Sequence, residues 1–233
     1  MGAVTDSTGY KLHGRRKGPG LSRRKKRLLA EELPRVAIAL PPSGAGPLDP
    51  ATLFARPLRD VSLEIGFGKG EHLIAAAAAH PDTGFVGCEP YLNGLVAGLD
   101  RLLAAGLDNV RLFGDDARLL LDALADASLG RIELIHPDPW PKRRHRKRRF
   151  ICQESLDRMA RVLRPGGHLL VVTDDPVYRQ WTAIQMSERR DFNWCAEGPD
   201  DWRRPPADWT GTRYAEKAER AGRCDVFLLY RRC

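Results

Sequence analysis

Leu63-Glu64-Ile65-Gly66-Phe67-Gly68-Lys69-Gly70-Glu71 is the stretch that decides the architecture. A short apolar run over 61–65 ends in glycines at alternate positions, and a helical stretch over 71–80 follows until Pro81 stops it. This is a strand, a tight turn and a helix. Glycine permits the sharp turn and lets the backbone approach a ligand closely. The spacing is G-x-G-x-G, whereas a dinucleotide-binding turn reads G-x-G-x-x-G and would place its third glycine where Glu71 stands. A glutamate at a helix N-terminus repels a pyrophosphate there. Glu64, just before the turn, adds a second negative charge, so the pocket suits a ligand with a free ammonium and a sulfonium better than a phosphate-bearing one.

Outward from this turn the same rhythm repeats. Strands are expected over 85–88, 110–113, 132–135 and 168–172, and helices over 92–105, 117–125, 151–163 and 177–189. Pro165-Gly166-Gly167 caps the helix before the fifth strand, and two late strands, 192–194 and 226–230, close the chain. Alternation of this length implies a mostly parallel, doubly wound α/β sheet with helices on both faces. Upstream, Gly14-Arg15-Arg16-Lys17-Gly18-Pro19-Gly20 cannot hold a helix. A short helix over 22–33 is ended by Pro34, and a Pro/Gly/Ser-rich link spans 41–50.

Three acids stand just beyond successive strands. Glu64 closes the first. Glu89 follows the second, nineteen residues past Gly70, where an acid can accept hydrogen bonds from two ribose hydroxyls. Asp116, after the third, is either the N-cap of the next helix or an acceptor for an adenine amine, and the roles are compatible. Ligands of open α/β sheets bind at this edge. With Gly66, Gly68 and Gly70, these acids outline an adenosyl cofactor site.

Charge is unevenly spread. The net charge is +8, and residues 1–28 alone carry nine Lys/Arg against the single acid Asp6. Residues 142–149 hold seven more basic side chains, which leaves the rest of the chain net acidic. Two concentrated patches on such a body are the footprint of a polyanion binder. The competing reading, a basic transit peptide at the start, is weakened by the Gly-Pro-Gly content. Five scattered cysteines without a C-x-x-C pair speak against zinc and a disulfide scaffold and for a reduced, cytoplasmic protein. The longest apolar run, 73–79, is too short to span a bilayer.

After the fourth strand come His136-Pro137-Asp138-Pro139-Trp140-Pro141-Lys142 and then a Lys/Arg-rich cluster to Arg149. Here the chain resembles the bacterial single-chain tRNA (guanine-N7) methyltransferases. The resemblance extends to the Leu63–Gly68 turn, the Leu163–Gly167 link, Thr173-Asp174, the segment from Thr212, and the N-terminal basic stretch leading to Leu33-Pro34-Arg35. It implies a Rossmann-like class I methyltransferase with an antiparallel C-terminal strand over 51–233. Residues 1–50 become an RNA-contacting, partly flexible tail and linker.

The resemblance implies that Glu64, Glu89, Asp116 and Asp138 hold S-adenosylmethionine, with Asp138 also catalytic. Lys142, Asp174 and Thr212, Arg213, Tyr214 and Ala215 contact the substrate. Where the family commonly has Thr-Lys-Phe-Glu, this chain has Thr212-Arg213-Tyr214-Ala215, with the acid displaced to Glu216. The expected partner is tRNA, methylated at a variable-loop guanine by a monomer or homodimer that needs no metal, membrane or protein partner.

The chemistry agrees. Guanine N7 has a free lone pair and no proton, so alignment with the methyl carbon should supply most of the acceleration. An adenine-N6 methyltransferase is the nearest competitor, but such enzymes carry D-P-P-Y where this chain has Asp138-Pro139-Trp140-Pro141. A nicotinamide oxidoreductase is disfavoured by Glu71. A non-catalytic RNA-binding module would explain the basic patches and leave the three ordered acids without a purpose.

Overall fold

The computed structural model describes residues 12–14, 16–211 and 224–233. Its elements begin with α1 (Arg23–Glu31), α2 (Leu33–Val36), β1 (Asp60–Ile65), α3 (Glu71–Ala79), β2 (Thr83–Cys88) and α4 (Leu92–Ala105). There follow β3 (Val110–Phe113), α5 (Ala117–Ala123), β4 (Leu129–Ile135), α6 (Gln153–Val162) and β5 (Leu163–Thr173). The chain ends with α7 (Pro176–Ser187), β6 (Phe192–Trp194), α8 (Pro199–Arg203) and β7 (Val226–Arg232).

The strands form one seven-stranded sheet of order β3-β2-β1-β4-β5-β7-β6. β1 to β5 run parallel, and β7 lies antiparallel between β5 and β6. The central strands are buried on both faces because both faces are covered. On one, Leu73 of α3 and Leu95, Leu99 and Leu102 of α4 pack with Phe67, Phe85 and Leu112. On the other, Leu120, Leu121, Leu156, Met159 and Tyr178 pack with Leu63, Ile132, Leu134 and Val171. The chain winds outward from β1 to β3 and then returns to the other side of β1 as β4. The crevice at that reversal, beyond the strand C-termini, is where an open sheet accepts a ligand.

The expected elements are present, with shifts at their ends. β4 begins at Leu129, and β5 takes in the Leu163–Gly167 link because Leu163 pairs with Leu129 across a bulge. α7 starts at Pro176, where a missing N–H costs nothing, and Asp175 caps it by accepting from the Tyr178 N–H at 2.8 Å. The short α8 had no expected counterpart. Pro34 does not end a helix: α1 stops before it, and Pro34 occupies the first turn of α2.

Much of the stretch read as tail and linker is docked. Leu28, Leu33 and Val36 pack on the α3–α4 layer, and Arg24 pairs with Asp100 of α4. The Ile38 N–H donates to Leu112 O at 2.9 Å, so the segment covers the exposed edge of β3. Residues 1–11, Arg15 and 212–223 lie outside the described residues. No helix among the described residues is long and apolar enough to cross a membrane.

Candidate active site

The glycine turn is built as its spacing demands. Gly66, Gly68 and Gly70 have φ of 79°, 59° and 78°, a region that side chains with a Cβ rarely occupy. A Cβ placed on Gly66 or Gly68 would meet nothing within 4 Å, so both face open space. α4 presses against the turn from behind. A Cβ on Gly94 would lie 2.5 Å from the Gly68 carbonyl oxygen, and only glycine permits that approach. In front of the turn is a cavity of about 590 Å³, with Gly66, Gly68, Glu89, Asp116, Asp138 and Trp140 among its walls. That volume suits a small-molecule cofactor.

The acids play different parts. Glu89 is buried and accepts from the Gly68 N–H at 2.7 Å and the Tyr91 N–H at 2.8 Å, one on each oxygen. It therefore ties the glycine turn to the end of β2. Burial pushes its carboxyl up, against the pull of these two N–H groups. Asp116 caps α5 by accepting from the Arg118 N–H at 3.0 Å and also pairs with the Arg118 guanidinium. The cap reading of this residue is realised, and the carboxylate still reaches the cavity wall.

Glu64 does not line the cavity. Its Oε2 lies 3.3 Å from His72 Nδ1, and Glu133 Oε2 lies 3.8 Å from the same nitrogen. All three are buried. Trp209 lies over the His72 ring at 4.6 Å, and Arg131 Nε donates to Glu133 at 2.8 Å. Burial pushes Glu64 up, and its bond to His72 opposes this. Burial alone would lower His72, but Glu64 and then Glu133 outweigh it and raise the imidazole.

The loop after β4 carries the chemistry-bearing side chains. Asp138 is exposed at the cavity mouth, and the backbone of Gly14 passes close to it: a Cβ there would stand 3.9 Å from Asp138 Oδ2. Leu12 and His13 line the same cavity. Arg16 O accepts from the Leu92 N–H, and the Arg16 guanidinium donates to Asp115 at 2.8 Å. His136 sits between two acids, with Nδ1 3.8 Å from Asp174 and Nε2 3.4 Å from Asp225. Asp174 is thus at the end of β5 beside this loop. Lys142 is exposed and does not line the cavity. Thr212, Arg213, Tyr214 and Ala215 lie outside the described residues.

The second basic patch is not uniform. Lys142, Arg143, Arg144, Arg146 and Lys147 are exposed, around a 3₁₀ turn over Arg143–Arg148. Arg148 stacks on Trp140 at 4.8 Å, with His145 edge-on to the same ring. Arg149 turns inward.

A family model described as "Putative methyltransferase" matches residues 59–228. The chain is 51% identical over 219 residues to a tRNA (guanine-N(7)-)-methyltransferase of Nitrobacter hamburgensis, covering 94% of this chain and 85% of that one. A protein of the same name from Rhizobium meliloti is 46% identical, with 94% of each chain covered. The chain belongs to the tRNA (guanine-N(7)-)-methyltransferase family. Among solved structures, TrmN from Thermus thermophilus superposes with a TM-score of 0.51 at 16% identity, covering 76% of this chain and 45% of that one. The 16S rRNA methyltransferase KamB gives 0.50 at 19%, covering 75% and 88%. At such identities these two show the shared class I methyltransferase fold.

Set on this family's fold, several residues escape sequence reasoning. His72 of α3, Arg131 and Glu133 of β4, and Trp209 come from three separate segments and meet only once the sheet and its covering layer form. Asp225, Leu12 and His13 carry no motif. Arg149 looks like one more surface cation. Its only cue is its position directly before the apolar pair Phe150-Ile151.

Proposed function

We propose that this chain transfers the methyl group of S-adenosylmethionine to N7 of a guanine in the variable loop of tRNA, in the cytoplasm and without a partner protein. The carrying observation is the cavity at the β1/β4 reversal. There the open glycine turn, Glu89, Asp116 and Asp138 converge beside five exposed cations, in a chain of this family.

The residues fit the cofactor. Gly66 and Gly68 leave a cradle that any Cβ would fill. Glu89 accepts one backbone N–H on each oxygen and keeps lone pairs for ribose hydroxyls. Asp116 presents an acceptor for the adenine amine beside its capping bond. Glu64 acts from beneath the turn through its charge. When bound, S-adenosylmethionine supplies an electrophilic methyl carbon on a positively charged sulfur.

What this chain supplies is alignment and charge. N7 attacks without prior deprotonation, so the site must hold the base in line. Attack turns the neutral guanine cationic and makes its N1 proton more acidic. Asp138 at the cavity mouth, with Asp174 at the end of β5, would accept hydrogen bonds from N1–H and the exocyclic amine, and these strengthen as the positive charge grows. The exposed Lys142, four residues past Asp138, serves a phosphate or the guanine carbonyl oxygen. The segment from Thr212 completes the substrate contact, with Ala215 offering no carboxylate. The exposed cations of both basic stretches track the tRNA backbone.

Incubation with methyl-labelled S-adenosylmethionine and bulk tRNA, followed by nucleoside digestion, should give labelled 7-methylguanosine. Mapping should place it in the variable loop. Label in N6-methyladenosine, or none in tRNA, would overturn the reading.

A further inference from the structure

Arg149 ends the run of basic residues, and by composition it belongs to the RNA-binding patch. Its geometry says otherwise. It is 7% exposed, while Arg143, Arg144 and Arg146 are exposed. Its Nε donates to Pro139 O at 3.0 Å and its Nη2 to Trp140 O at 3.1 Å. The guanidinium lies over the Trp181 ring at 4.8 Å. Trp181 is itself fixed, since its indole N–H donates to Ile151 O at 2.6 Å. Among the described residues no carboxylate pairs with Arg149.

We propose that Arg149 is a positioning residue that braces the loop carrying Asp138 against α7 and makes no contact with tRNA phosphates. The inference rests on the methyl transfer proposed above and adds to it what holds the catalytic loop. The loop needs such a brace. His136 and Trp140 both have positive φ, 46° and 42°, a conformation that non-glycine residues keep only when their surroundings enforce it. The two carbonyls that Arg149 engages lie one and two residues past Asp138. Only a planar fork reaches both while its face rests on an indole. A lysine at the same place offers a compact point charge and cannot meet both carbonyls and stack as well. The side chain holding the aspartate and the cations meeting the backbone thus come from one eight-residue run, sorted by which way each side chain turns.

Arg149→Lys keeps the charge and removes the fork, and Arg149→Met keeps the bulk without charge. Each should lower kcat for tRNA at least tenfold. Neither should change the slope of log KM against log salt. Arg146→Ala, on the exposed face, should shift that slope by about 0.7–0.9. Hydrogen exchange over residues 136–142 should quicken in both Arg149 variants, a readout that stands even if the chain's substrate were other than tRNA. A kcat within twofold of wild type, or a salt slope reduced as in Arg146→Ala, would overturn the proposal. So would unchanged exchange in the loop. If Arg149→Lys failed to fold, Arg149→Met carries the same outcomes.

Discussion

At the scale of the residue, the roles proposed for Glu89 and Asp138 separate cofactor binding from catalysis. Glu89→Ala removes the acceptor proposed for the ribose hydroxyls and leaves the Gly68 and Tyr91 N–H groups without their partner. S-adenosylmethionine affinity should fall by about 1.5–3 kcal/mol, the range for hydrogen bonds to a charged group. Calorimetry would read this directly, and unchanged affinity would take Glu89 out of the site. Asp138 is exposed and stands at the mouth, so Asp138→Ala should leave tRNA binding roughly intact while nearly abolishing methylation. Steady-state turnover under saturating substrates close to wild type would end its assignment. Glu89 was singled out in the sequence by its place at the end of a strand, and Asp138 by the resemblance of its Pro-Asp-Pro-Trp loop to a known family. Arg149 was not, because nothing in a run of like charges marks the one that turns inward.

Among the elements, the glycine turn and the N-terminal stretch matter most. α4 can lie against the turn only because Gly94 has no side chain: a Cβ would fall 2.5 Å from the Gly68 carbonyl oxygen. Gly94→Ala should push helix and turn apart, cost about 1–3 kcal/mol as overpacking does, and weaken S-adenosylmethionine binding. Thermal unfolding and calorimetry check the two effects, and a melt and affinity like wild type would show that the helix can shift freely. The N-terminal stretch reads in sequence as a remote basic tail whose loss should raise the tRNA KM more than it lowers turnover. Leu12 and His13, however, line the cavity proposed for the cofactor, and Arg16 is bonded to Leu92 and Asp115. Deleting residues 1–20 should therefore weaken S-adenosylmethionine binding as well. A truncated protein with unchanged cofactor Kd and a raised tRNA KM would return the segment to a purely electrostatic role.

Across the whole molecule, charge works in two settings. The exposed cations operate in water and should make tRNA affinity fall steeply with salt. The Glu64–His72–Glu133 cluster operates inside the protein, against the middle of the sheet. There the folded state holds protons more tightly than the unfolded chain, since both His72 and Glu64 are raised. The raised imidazole contributes stability that is fully present below its unfolded value of 6.5 and is lost as pH rises through the folded value. Wild type should thus lose thermal stability as pH rises above 6.5 more steeply than His72→Gln. Parallel melting curves across that range would show that folding does not raise the His72 imidazole.

The sequence by itself determined the parallel α/β winding, the cofactor turn and the acids at the strand ends. Each of these depends on local spacing: glycines where φ turns positive, an acid one step past a strand, a Pro-Asp-Pro-Trp loop at a strand terminus. Only the tertiary structure decided which acids face the cavity and which basic residues face water. Glu64 stands on the sheet face covered by α3 and Trp209, and that neighbourhood turned its carboxylate to His72 and away from the cavity. Arg149 lies within reach of two carbonyls of a strained loop and the face of Trp181, and so it was drawn inward. The N-terminal stretch became a wall of the site because its apolar residues pack on the α3–α4 layer. In each case the deciding partner lies far away along the chain. Burying a charged side chain requires a compensating partner, and the partner's identity is known only once the sheet and its covering layers have closed.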